Sequence, residues 1–184
     1  LIATLPTIKF LIRAGAKIVI VSHRGRPSKS PASRDEASLN IVIPFLKKHL
    51  DHPIHFIKKF APYEIQETLT KAPWGSVFLL ENLRFIDGEK KNDAAFGKAL
   101  ASIADFFVND AFSVSHRNHA SVTQLPRLLP SYGGFLLERE LSVLSRLKKV
   151  TTRPFVMILG GAKAKDKLQV LKRFLPRITY CLMG

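Results

Sequence analysis

Cysteine is almost absent. Cys181 stands alone in 184 residues, which excludes an internal disulfide framework and suits a reducing compartment, so a cytoplasmic location is expected. No apolar run approaches the roughly 20 residues that a membrane helix needs, and no membrane partner is expected. Leu1–Phe10 lacks the charged start and the small-residue cleavage site of a secretory signal. There is no initiator methionine either, so the chain is expected to begin partway through a longer one. Acidic residues are scarce: 14 Asp and Glu against 29 Lys and Arg leave a net charge of +15. Such a summed field attracts nucleic acid, an acidic surface or anionic metabolites. Yet the basic residues form no long run and do not interleave with aromatics as in a base-stacking platform. That distribution favours anionic metabolites and leaves a nucleic-acid-binding module as the alternative. Catalytic signatures are missing too. There is no G-x-S-x-G, no H-E-x-x-H, no paired-Cys motif, no P-loop and no dinucleotide G-x-G-x-x-G. Chemistry by positioning and charge stabilisation therefore fits better than covalent catalysis.

What is present is a folded α/β pattern, with 46% hydrophobic and 23% charged residues. The chain is organised around Lys17–Pro27, K-I-V-I-V-S-H-R-G-R-P. Ile18–Ser22 is a mostly β-branched run that reads as a buried strand. It delivers His23, Arg24 and Arg26 onto a turn broken by Gly25 and closed by Pro27. Further strands are expected at Ile54–Ile57, Ser76–Leu80, Asp105–Val108, Phe155–Leu159 and Ile178–Met183. Helical periodicity is expected over Leu1–Ala14, Ala37–Leu50, Pro62–Thr70, Asn92–Ile103, Leu136–Lys149 and Lys165–Phe174, with Ser28–Arg34 a polar connection. Strands alternating with helices predict βαβ units: a Rossmann-like parallel sheet with helices on both faces, three layers deep. The long helix before Phe155 divides the chain into 1–135, a connecting 136–150, and 151–184 as the first βαβ of a second, similar domain.

Ligands of open α/β sheets sit outside the carboxyl ends of the strands. Each such end here carries cations or small hydrogen-bonding groups. They are His23, Arg24 and Arg26; then Asn82 and Arg84; then Asn109, Asp110, His116, Arg117 and His119; then Gly160, Gly161, Lys163, Lys165 and Lys167. Arg26, Arg84 and Arg117, arriving from separate strands, would build one anion pocket, because the guanidinium fork matches carboxylate and phosphate. A bland alternative pairs Arg84 with Glu81 on the surface. His116 and His119 have a metal-site spacing, but Asp110 is the one carboxylate close in sequence, and a structural role is the expectation. Lys163 and Lys167, four apart at a helix start, aim two ammonium groups one way. Cations are unfavourable at that end of a helix, so an anionic partner such as a transferring phosphoryl group is expected.

These motifs together resemble the phosphoglycerate kinase family. S-H-R-G-R-P at Ser22–Pro27, L-L-E-N-L-R-F at Leu79–Phe85, N-D-A-F-S-V-S-H-R-N-H-A-S at Asn109–Ser121 and G-G-A-K-A-K-D-K at Gly160–Lys167 stand in family order. L-P-T-I at Leu5–Ile8 and G-G-F at Gly133–Phe135 fall in the same order. The resemblance implies reversible phosphoryl transfer between 1,3-bisphosphoglycerate and ADP, giving 3-phosphoglycerate and ATP, with Mg²⁺. It implies an N-terminal domain holding the phosphoglycerate, a C-terminal one holding the nucleotide, a hinge between them and a monomeric parent. Carried over, His23, Arg26, Arg84 and Arg117 would contact the triose phosphate, with Arg24 and Gly25 in the same loop. Gly160, Gly161, Lys163 and Lys167 would meet the nucleotide phosphates, and Arg26, Lys163 and Lys167 would stabilise the transferring group. Arg24 departs from the family's apolar residue, and Ser113-Val114-Ser115 replaces a Gly-Thr-Ala-like segment. The family's first strand with its Asp and Asn ligands, an Arg expected before Leu1, and the later nucleotide loops and Mg²⁺ carboxylate are not in this sequence. The expectation is a kinase fragment with no metal ligand of its own that does not turn over alone. A folding unit without ligand affinity is the third reading.

Overall fold

The computed structural model describes residues 1–147, 152–160 and 164–184, and of 164–167 the backbone alone. The chain forms two compact units, Leu1–Arg139 and Glu140–Gly184.

The first unit is built on three parallel strands, β1 (Ile18–Ile20), β2 (Ile54–Ile57) and β3 (Val77–Leu80), in the order β1-β3-β2. All four residues of β3 are buried, as expected of a strand covered on both faces. Side chains alternate across a strand, and the two faces take different partners. Val77 and Leu79 join Ile18 and meet Leu5, Ile8 and Ile12 of α1 (Leu5–Arg13). Leu46 of α3 (Ile43–His49) packs into the same cluster. Leu80, on the other face, meets Ile65 of α4 (Pro62–Lys71) and Phe96 and Leu100 of α6 (Ala94–Ala101). The expected three layers are therefore present: parallel sheet in the middle, helices on either side.

β4 (Phe107–Asn109) runs parallel to β5 (Ser131–Gly133) in a ladder of their own. Between them lie two single-turn helices, α7 (Ala120–Thr123) and α8 (Leu125–Leu128). The second unit repeats the motif once. β6 (Val156–Leu159) pairs parallel with β7 (Tyr180–Met183) across α10 (Ala164–Phe174). α9 (Phe135–Leu147) runs across the division between the units.

Three helix boundaries differ from the periodicity. Ser28–Arg34 is not all connection: α2 (Pro31–Ala37) starts there because Pro31 occupies its first position and the Ser30 hydroxyl accepts from Ser33 N–H. The helix expected from Ala37 is interrupted at Ser38. Glu81 takes the Ser38 hydroxyl at 2.7 Å and the Leu39 N–H at 2.8 Å, so a tertiary carboxylate overrides the local period. The third boundary is the start expected at Asn92. α5 (Asp87–Lys91) precedes it, Asn92 is left-handed with φ 54°, and Asp93 caps α6 by accepting from Phe96 N–H.

Asp110, directly after β4, accepts from the Leu136 and Leu137 N–H groups at 2.9 and 3.1 Å and so caps α9. Gly134 lies against it: a Cβ there would stand 2.8 Å from the Asp110 Cβ, an anchored atom rather than a mobile tip. Gly134→Ala is expected to cost about 1–3 kcal/mol by overpacking this cap, read as a lower urea midpoint at unchanged slope.

Candidate functional site

The loops leaving β1, β3 and β4 all emerge at the carboxyl side of parallel strands, the position where such folds bind ligands. The first is held in shape by groups foreign to it. Gly25 has φ +61°, a conformation other residues rarely adopt, and its carbonyl accepts from the Arg84 guanidinium. Asn82 is buried. Its side-chain amide donates to the Arg24 carbonyl at 2.7 Å and the Ala37 carbonyl at 2.9 Å, while its oxygen accepts from Arg84 N–H. The Arg24 guanidinium turns to the Glu36 and Ser38 carbonyls, tying the loop to the end of α2. Arg26 is exposed.

Arg84 does not pair with Glu81, whose oxygens serve Ser38, Leu39 and the Asn82 N–H. It stands instead among cations. Burial and the neighbouring Arg117 and Arg26 guanidiniums hold it below the ordinary arginine range, with Glu89 opposing them. The structure thus brings together the three arginines that the sequence placed on separate strand ends. The Nε groups of Arg84 and Arg117 are buried with no hydrogen-bond partner, donors waiting for an acceptor.

One residue of this site escaped the sequence. Glu89 of α5 is fully buried and reaches His23, His119 and the field of Arg84. His23 Nε2 lies 2.6 Å from its Oε1, which also takes the Ser121 hydroxyl at 2.6 Å; its Oε2 takes the Ser121 N–H at 3.0 Å. Burial pushes this carboxyl up, but the bonds from His23 and Ser121 outweigh it and leave it below the ordinary carboxylate range. His119 packs edge-on against His23, ring centres 5.2 Å apart, with Nδ1 3.6 Å from Glu89 and unbonded. Burial lowers its imidazole, the Glu89 charge partly restores it, and His23, Arg84 and Arg117 lower it further; it is neutral at neutral pH. His116, its expected companion, is exposed.

His23, Glu89 and His119 bring ligand-type atoms within 4.8 Å of one another. They are better described as a hydrogen-bonded cluster than as a metal centre. Glu89 Oε1 already accepts two short bonds, and a divalent cation would have to displace both while facing the guanidiniums.

In the second unit Gly160 follows β6 with open space where a Cβ would stand. Gly161 and Lys163 lie outside the described residues. Lys167 is on α10, and its side chain also lies outside them.

The model of one family, phosphoglycerate kinase, matches residues 1–184. The chain belongs to the phosphoglycerate kinase family. It is 42% identical over 184 residues to a phosphoglycerate kinase of Wolbachia sp. subsp. Drosophila simulans, and 45% over 182 residues to one of Thermomicrobium roseum. These alignments cover 100% and 99% of this chain. The fold agrees with the phosphoglycerate kinase of Pyrococcus horikoshii at a TM-score of 0.85 and 35% identity, covering 99% of this chain and 46% of that one. For the Coxiella burnetii enzyme the values are 0.79 and 30%, with 100% of this chain and 45% of that one covered. The chain spans 46% of the length of both sequence relatives. The charge of Arg24, the departure expected from the family motif, is met by the carbonyls of Glu36 and Ser38.

Proposed function

We propose that the first unit is the phosphoglycerate-binding half of a cytoplasmic, monomeric phosphoglycerate kinase, acting in glycolysis. The observation that carries this reading is Arg84 with Arg26 and Arg117 beside it and the buried Glu89 as the one opposing charge, an excess of positive charge with unsatisfied guanidinium donors. A ligand with a carboxylate at one end and a phosphate at the other, as in 3-phosphoglycerate, would supply the missing acceptors. In 1,3-bisphosphoglycerate the acyl phosphate replaces the carboxylate. His23 and Arg26 would reach the ligand from the first loop, Arg84 and Arg117 from the other two. Arg24 and Gly25 belong to this site through the shape of the loop.

The second unit, on this reading, opens the nucleotide side. Gly160 and Gly161 would let the backbone approach the phosphates, while Lys163 and Lys167 would draw the charge of the transferring group. Residues 136–150 would serve as the connecting helix and hinge. Mg²⁺ accompanying ATP or ADP neutralises phosphoryl oxygens. Residues 140–184 contain two carboxylates, Glu140 and Asp166, which do not make the oxygen-rich set that this ion prefers, so it belongs chiefly to the rest of a full-length kinase. Phosphoryl transfer is therefore assigned to the full-length enzyme, and the 184-residue chain should show no turnover in a coupled assay.

Binding is the direct test. In calorimetric titrations with 3-phosphoglycerate at moderate salt, Arg117→Ala should weaken affinity by roughly tenfold or more, the loss of one charge-assisted hydrogen bond. Arg24→Ala should weaken it several-fold less, because its guanidinium is engaged with carbonyls. Equal losses for the two variants, or binding of duplex DNA without competition by 3-phosphoglycerate, would sink the assignment.

A further inference from the structure

Among the described residues, Glu89 is the one fully buried charged side chain. Burying a carboxylate is costly, and an apolar residue of similar size often serves stability as well or better. The position of this one has a different logic. Its two oxygens join three segments that reach the pocket separately. These are the loop after β1 through His23, α5 itself, which follows the Leu83–Phe85 turn and its Arg84, and the head of α7 through Ser121. Arg117 and His119 lie just before that last anchor in the sequence. The carboxylate also supplies negative charge in the field of Arg84, which Arg26 and Arg117 oppose.

The second consequence is chemical. An ionised carboxylate only accepts, so the His23 nitrogen 2.6 Å from Oε1 must be the one bearing hydrogen. Glu89 thereby fixes the ring with its proton on Nε2 and its lone pair on Nδ1. We propose that Glu89 is a positioning residue of the anion pocket, which sets the tautomer of His23 and joins the three cation-bearing segments before ligand binds. The ligand is taken from the phosphoglycerate reading above; the ring chemistry is independent of it.

Glu89→Gln tests this with little change of shape. The glutamine oxygen can keep the Ser121 N–H, and its amide group then faces the Ser121 hydroxyl and His23 Nε2. Both can accept, the ring by moving its proton to Nδ1, so the variant has a satisfied and folded arrangement. The measurement is the nitrogen-15 spectrum of the histidine rings at pH 8, with 3-phosphoglycerate affinity measured beside it. The wild type should show His23 protonated on Nε2, the variant on Nδ1, with affinity reduced roughly tenfold or more, as for one lost charge-assisted hydrogen bond. A wild-type ring protonated on Nδ1 overturns the proposal without any variant. So does a ring unchanged in folded Glu89→Gln, whatever its affinity. If the tautomer switches as expected but the wild type binds no 3-phosphoglycerate, the phosphoglycerate reading fails and the control of His23 by Glu89 stands.

Discussion

Replacing Asn82 by alanine should cost the first unit about 2–4 kcal/mol and remove most of its affinity for 3-phosphoglycerate. The side chain is buried at the end of β3 and holds the Arg24 and Ala37 carbonyls at 2.7 and 2.9 Å. Truncation leaves those carbonyls and the Arg84 N–H without partners in a place water reaches poorly. An unsatisfied buried polar group costs about 1–3 kcal/mol, and partial rehydration of the loop keeps the total below the sum. The functional loss follows from the same bonds, because they shape the loop carrying Gly25 and Arg26. Asn82→Asp is the sharper comparison: it keeps the size and the acceptor but cannot donate to either carbonyl. Urea unfolding should therefore place both variants close together. A loss under about 1 kcal/mol in both would show that the loop is held by something else.

Arg84→Ala should lower affinity for 3-phosphoglycerate by roughly a hundredfold, two charge-assisted hydrogen bonds at about 1.5 kcal/mol each or somewhat less. It combines two tasks. Its guanidinium steadies the Gly25 carbonyl, and its buried Nε has no partner in the absence of ligand. Stability should not fall in proportion. Burial and the adjacent Arg117 and Arg26 already disfavour its charged form, so deleting the charge relieves repulsion while the Gly25 contact is lost. Affinity and unfolding midpoint should thus separate, with a large loss in the first and a small change in the second. A variant that loses both equally would mark Arg84 as a structural residue.

Much of this was legible in the sequence because parallel strands deliver their loops to one side. The β-branched run at Ile18 and the apolar runs at Ile54 and Ser76 were enough to place β1, β2 and β3. Once β1 and β3 are parallel, His23 and Arg84 must share an end; Arg117 follows β4, whose ladder with β5 is separate, and only the structure brings it beside Arg84. β5 was not legible: Ser131-Tyr132-Gly133 is short and polar, and it becomes a strand by pairing with β4. The break at Ser38 was equally hidden, since it depends on Glu81, more than forty residues away in the chain. Glu89 sits in D-G-E-K-K, where a solvated charge is the ordinary reading. Its burial is set by His23 and Ser121, which arrive from distant segments. Periodicity reports which face a helix buries and says nothing about a polar partner supplied by the fold.

On the proposed reading, the carboxyl-end loops of the first unit form one phosphoglycerate site. The most direct test of that reading is a map of backbone amide shifts on the 184-residue chain as 3-phosphoglycerate is added at moderate salt. Saturable shifts concentrated at residues 22–26, 82–85 and 117–121, sharing one dissociation constant, are expected. Shifts scattered over the basic surface, weakening steeply with salt and sharing no common constant, would contradict the reading and return the +15 charge to a general attraction for polyanions.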